Sequence, residues 1–112
     1  MKKKFIFVIL SFLAINAISS VDKILENISV EKGFEVTIFS NTTDAPRQIT
    51  EGNSGYIFVG SKKGDVYALK DHDGNGKADF SMLIASGMSD SSGVAFYEGS
   101  LFIAEIDKVW KI

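Results

Sequence analysis

The chain has 112 residues, room for one small domain. Its composition, 46% hydrophobic and 23% charged, is that of a folding chain and excludes a disordered one. A formal charge of −2 gives no basic face for nucleic acid. The absence of cysteine excludes a disulfide framework and a thiolate metal site, and one histidine leaves no zinc spacing.

The N-terminus reads "MKKKFIFVILSFLAINAISS". Lys2, Lys3 and Lys4 precede an apolar run from Phe5 to Ile15 that only Ser11 interrupts, and Ala17-x-Ser19 offers a cleavage signature. The run is about half the roughly 20 residues of a membrane-spanning helix. This pattern predicts a secretory signal over residues 1–19 and export to the periplasm or beyond, with no stable membrane span once it is cleaved. An uncleaved anchor and a buried helix are the alternatives. Cleavage removes three lysines and no acidic residue, leaving 9 basic against 14 acidic residues, or −5. A balance of that sign suits cations better than polyanions.

Residues 20–33 are expected to form an N-terminal linker. Val21, Ile24, Leu25 and Ile28 have helical spacing there, over a short segment. From Phe34 the texture changes to short β-type runs: "FEVTIF", "RQIT", "YIFVG", "DVYAL", "FSMLIA", "GVAFY", "LFIAE" and "KVWKI". They are rich in Val, Ile, Phe and Tyr and bounded by Gly, Asn, Asp and Ser, so residues 34–112 are expected to be all-β. Pro46, the single proline, precedes a run, where its missing N–H does least harm.

Some of these runs repeat. Gln48-Ile49 matches Gly93-Val94 at an offset of 45, Ile57–Gly60 matches Leu101–Ala104 at 44, and Val66–Leu69 matches Val109–Ile112 at 43. A four-strand unit recurring every 40–45 or so residues is the mark of a β-propeller blade. The alternative is a chance alignment of short strands. About one and three-quarter blades are then present, where closure of a ring takes roughly four to eight. The expectation is a partial propeller, the N-terminal portion of a longer one. Copies assembling into a ring, or a truncated reading frame, are the alternatives.

Between "DVYAL" and "FSMLIA" lies "DHDGNGKAD", with Asp71, Asp73, Asn75 and Asp79 as side-chain oxygen donors. Oxygens at loop positions 1, 3 and 5, glycine at 6 and Asp at 9 follow most of the calcium-loop pattern. Alternate residues of a curled loop converge on one cation, Gly76 permits the turn, and the Lys77 carbonyl supplies a further oxygen. Position 12 is Met82 and not the bidentate Glu, and strands flank the loop, so it is not an EF-hand. A structural calcium site at Asp71, Asp73, Asn75, Lys77 and Asp79 is expected, with affinity toward the ~10⁻⁴–10⁻³ M of extracellular modules. A polar turn binding nothing is the alternative. His72, at position 2, is expected to be a solvent-exposed bystander.

"GFEVTIFSNTTDAPRQIT", "YIFVGSKKGDVYALKDHDGNGKAD" and "ASGMSDSSGVAFYEGSLFIAEIDKVWKI" together resemble the start of the glucose/sorbosone dehydrogenase family. These are exported β-propeller quinoproteins that use pyrroloquinoline quinone (PQQ), and the resemblance runs from about Lys32 to the end. It implies a propeller, calcium, and a quinone that takes a hydride from a sugar or related aldehyde. The family's histidine base and most of its quinone contacts belong to later blades and map onto no residue here, so catalytic and quinone-binding residues are unknown. Arg47 could meet a quinone carboxylate or be a surface charge; Ser91 and Ser92 stand where family members often carry Asn.

No Ser/His/Asp arrangement or phosphate-binding glycine loop is present. Phe58, Tyr67, Phe96, Phe102 and Trp110 fall in strands and are expected to pack in the core. A non-catalytic, calcium-stabilised binding module stays open beside the enzyme, because propellers host both.

Overall fold

The computed structural model describes residues 20–112. The signal expected over residues 1–19 lies outside the described residues. The chain divides into two compact units, one up to Val36 and the other Thr37–Ile112. Among the described residues no helix is long and apolar enough to cross a membrane.

In the first unit the segment expected to be a linker carries a short helix, α1 (Ser20–Glu26), so residues 20–33 are not wholly irregular. Its end is tied by Asn27, whose Nδ2 donates to the Lys23 carbonyl at 2.8 Å and whose N–H donates to that of Ile24 at 3.2 Å.

The second unit is all-β. Strands β1 (Pro46–Glu51), β2 (Ile57–Ser61), β3 (Val66–Lys70) and β4 (Phe80–Ala85) form an antiparallel meander in sequence order. Strands β5 (Gly93–Tyr97), β6 (Ser100–Ala104) and β7 (Val109–Lys111) form a second, three-stranded one. Pro46 opens β1 on the sheet edge, beside an irregularity in register before Gln48. One expected strand does not form: the residues of "FEVTIF", 34–39, pair with no strand, although Phe39 accepts the Ala78 N–H at 2.8 Å.

The two sheets share one register. Gln48 faces Gly60 and Ile49 faces Val59, as Gly93 faces Ala104 and Val94 faces Ile103. Gly60 faces Val66 and Val59 faces Tyr67, as Ala104 faces Val109 and Ile103 faces Trp110. These are the matched residues of the sequence repeat, pair for pair. Turns follow suit: Lys62 N–H donates to Ala45 and Ile106 N–H to Ser89, at 3.1 and 3.2 Å.

Alternation along the strands sets the packing. Phe58 and Val66 project from one sheet onto Val94, Phe96, Leu101 and Ile103 of the other, and Val66 and Ile103 are sealed from solvent. Deep burial of a few β-branched and aliphatic side chains is the main favourable term in so small a body. Glycines let the backbones approach: a Cβ on Gly60 would strike the Ser91 and Ser92 carbonyls, and one on Gly64 (φ +86°) that of Met88. Trp110 departs from expectation. It lies on the short edge strand β7 and is 47% exposed, because no strand covers it.

Candidate metal centre

The hairpin between β3 and β4 is where the expected loop lies, with Asp79 N–H donating to the Lys70 carbonyl at 3.0 Å to close its base. Gly74 and Gly76 take left-handed φ of 72° and 83°, which side chains disfavour. Their turn points a series of backbone N–H groups at one carboxylate. Asp71 Oδ1 accepts from Gly74 at 2.8 Å and Asn75 at 3.3 Å, and its Oδ2 accepts from Gly76 at 2.8 Å. Such Asx-type bonds explain why this composition curls.

The loop's other donors interlock. Asn75 N–H and Nδ2 donate to the two oxygens of Asp73 at 3.2 and 3.0 Å, and Lys77 N–H donates to Asn75 Oδ1 at 2.8 Å. The Gly76 N–H above all, with those of Gly74 and Asn75, holds the Asp71 carboxyl below its ordinary range, against a smaller opposing effect of desolvation.

Asp71, Asp73 and Asp79 each bring a carboxylate oxygen within 4.8 Å of the others. Donors at the corners of a triangle of that side stand roughly 2.8 Å from its centre, a slight contraction away from the 2.3–2.6 Å of calcium–oxygen bonds. Three carboxylates so close repel one another unless a cation lies between them. The donor set is all oxygen, which fits a hard divalent ion. Asn75 and Lys77 are less committed to that point: the Asn75 oxygen is turned to the Lys77 N–H, with a lone pair to spare.

His72 is more than a bystander. Its side chain is half exposed, yet Nδ1 lies 2.5 Å from Asp79 Oδ1, and its N–H donates to Asp79 Oδ2 at 3.0 Å. The His72 side chain foremost, aided by its backbone N–H, holds the Asp79 carboxyl low. Its ring stands edge-on to Phe80 at 6.1 Å, and Phe80 meets Tyr56 edge-on at 6.0 Å. His72 thus ties Asp79 to the aromatic end of the sheet. The pair lie seven positions apart in the sequence, and only the hairpin's closure makes them neighbours.

The residues considered for the quinone differ in what is left exposed. Arg47 stands exposed on β1. Ser91 is fully buried, and its hydroxyl donates to the carbonyls of Asp65 at 2.9 Å and Ser61 at 3.3 Å. Ser92 donates to Asp90. Both hydroxyls are spent on tying the turn down, whereas Arg47 keeps an exposed side chain.

No family model and no solved structure matches the chain. An uncharacterized protein of Borreliella burgdorferi is 29% identical over 102 residues, which is 90% of this chain and 25% of the relative. The chain spans about a quarter of the length of that curated relative.

Proposed function

We propose that the two sheets are successive blades of an exported β-propeller, stapled at the β3–β4 hairpin by calcium and belonging to a PQQ-dependent sugar or sorbosone dehydrogenase-like protein. The observation that carries this is the shared register of the two sheets, strand for strand, at a spacing of 43–45 residues. Repetition at that period, with adjacent meanders packed face to face, is how propellers are built. The enzymatic part rests on the family resemblance.

In this reading the chain's own residues hold the scaffold. Asp71, Asp73 and Asp79 grip the cation, with Asn75 and the Lys77 carbonyl available to complete its shell. His72 fixes Asp79, and the backbone N–H groups keep Asp71 ionised. Arg47 would face a quinone carboxylate; the quinone, when bound, would supply the hydride acceptor. A second reading, in which these blades form a calcium-stabilised module that catalyses nothing, stands beside the first because propellers host both.

Titration calorimetry with calcium tests the first claim. One ion per chain, with Kd on the order of 10⁻⁴–10⁻³ M, supports it, and no heat above dilution overturns it. Aldose oxidation with calcium and PQQ added separates enzyme from module. The blades alone are expected to give none, and turnover would place catalysis within this chain.

A further inference from the structure

We propose that Asn75 is a self-modifying residue: the folded hairpin closes the Gly76 nitrogen onto the Asn75 side-chain amide, releases ammonia and leaves a carboxylate. The loop's own geometry carries this, independently of any cation. The reaction starts from covalent proximity, since attack of the next residue's nitrogen on an asparagine Cγ closes a five-membered ring. A side chain on that next residue obstructs the approach, and glycine has none. Asn75 alone among the chain's asparagines precedes a glycine; Asn16, Asn27, Asn41 and Asn53 precede Ala17, Ile28, Thr42 and Ser54.

The fold adds more than the dipeptide. A Cβ on Gly76 would meet nothing within 4 Å, so its left-handed φ of 83°, and not lack of space, calls for glycine there. The turn itself thus sets the reactive pair. Asn75, Gly76 and Lys77 are exposed, and water reaches the reacting atoms. Each of those atoms also has a partner in place. The Gly76 N–H donates to Asp71 Oδ2 at 2.8 Å, which polarises the nitrogen toward attack. Asn75 Oδ1, where negative charge develops as the ring closes, accepts the Lys77 N–H at 2.8 Å, as in an oxyanion site. The departing Nδ2 donates to Asp73 Oδ2 at 3.0 Å, which fixes the plane of the amide.

The bond from Gly76 N to Asn75 Cγ forms and the bond from Cγ to Nδ2 breaks. The Gly76 proton passes to solvent water, while Nδ2 takes a proton from solvent and leaves as ammonia. Water then opens the resulting succinimide at either carbonyl. Breaking the new bond gives aspartate at position 75; breaking the original peptide bond gives isoaspartate, with the chain continuing through the former side chain. No oxidant or reductant is involved. Either product adds one negative charge to a hairpin that already gathers Asp71, Asp73 and Asp79.

The test follows the purified chain in chelator-containing buffer over weeks, with proteolytic mass mapping of amide-to-acid conversion at each asparagine. A synthetic peptide of residues 70–80 serves as the unfolded reference. Asn75 is expected to convert first, with Asn27, Asn41 and Asn53 unchanged, and several-fold faster in the folded chain than in the peptide. Asp71→Ala, which removes the acceptor of the Gly76 N–H, should bring the rate down to the peptide's, with circular dichroism checking its fold. Conversion in the wild-type chain no faster than in the peptide overturns the proposal, whatever the variant does. So does an undiminished rate in a folded Asp71→Ala chain.

Discussion

The rings of Phe58 on β2 and Phe96 on β5 stack with centroids 5.7 Å apart and planes inclined by 17°. They are the aromatic part of the seam between the sheets, beside the buried Val66 and Ile103. Removing one ring takes area and a stacking partner from both sheets at once. Phe58→Ala should destabilise the chain by about 3 kcal/mol, the low end for a Phe truncation because the ring is half-buried. Chemical denaturation measures it; a loss no larger than that of an exposed Tyr97→Ala change would place the seam elsewhere.

The seam's backbone contact makes a second prediction. Gly60→Val should cost more than the ~1–3 kcal/mol of ordinary overpacking, since carbonyls and not side chains would have to move. Ser91→Ala should cost only about 1 kcal/mol, because the Asp65 carbonyl keeps a second donor, the Ser61 N–H at 3.0 Å. Urea titration of both variants gives the ratio. Similar losses in the two would show that the sheets are not in backbone contact there.

Acid sensitivity follows from Glu105. Its Oε2 accepts the Ser89 N–H at 2.6 Å and its Oε1 accepts from Trp110 Nε1. These two donors, the Ser89 N–H first, hold the carboxyl below the ordinary value of 4.5. A depressed folded-state pKa contributes stability that is present in full above the unfolded value and is lost as pH falls through the folded one. Asp71 and Asp79 act in the same sense. Glu105→Gln should therefore shallow the fall in stability below pH 4.5 and leave its shape near neutrality unchanged, as melts across a pH series would show. An unaltered acid limb would remove Glu105 from the account.

Much of this was legible before any coordinates. Alternating β-branched and aromatic residues bounded by turn formers place β1 to β7 within a residue or two, and the repeat offsets reproduce the pairing register. The acidic loop reads from its spacing alone, since glycines at fixed places dictate where the carboxylates converge. "FEVTIF" misled because strand propensity says nothing about whether a neighbour is present. Trp110 misled for the same reason, an aromatic on an edge that nothing covers. The tie between His72 and Asp79 stayed hidden because hairpin closure, not local spacing, joins them.

The measurement closest to the centre of the account is the melting temperature with calcium and with a chelator, for the wild-type chain and Asp73→Ala. With Kd on the order of 10⁻⁴–10⁻³ M, about 10 mM calcium adds roughly 1.5–3 kcal/mol by mass action. A domain of this size should then melt on the order of 10 °C higher. Asp73→Ala should lose the whole rise. A wild-type melting temperature indifferent to calcium, or a variant that keeps the rise, would contradict the cation-stapled hairpin.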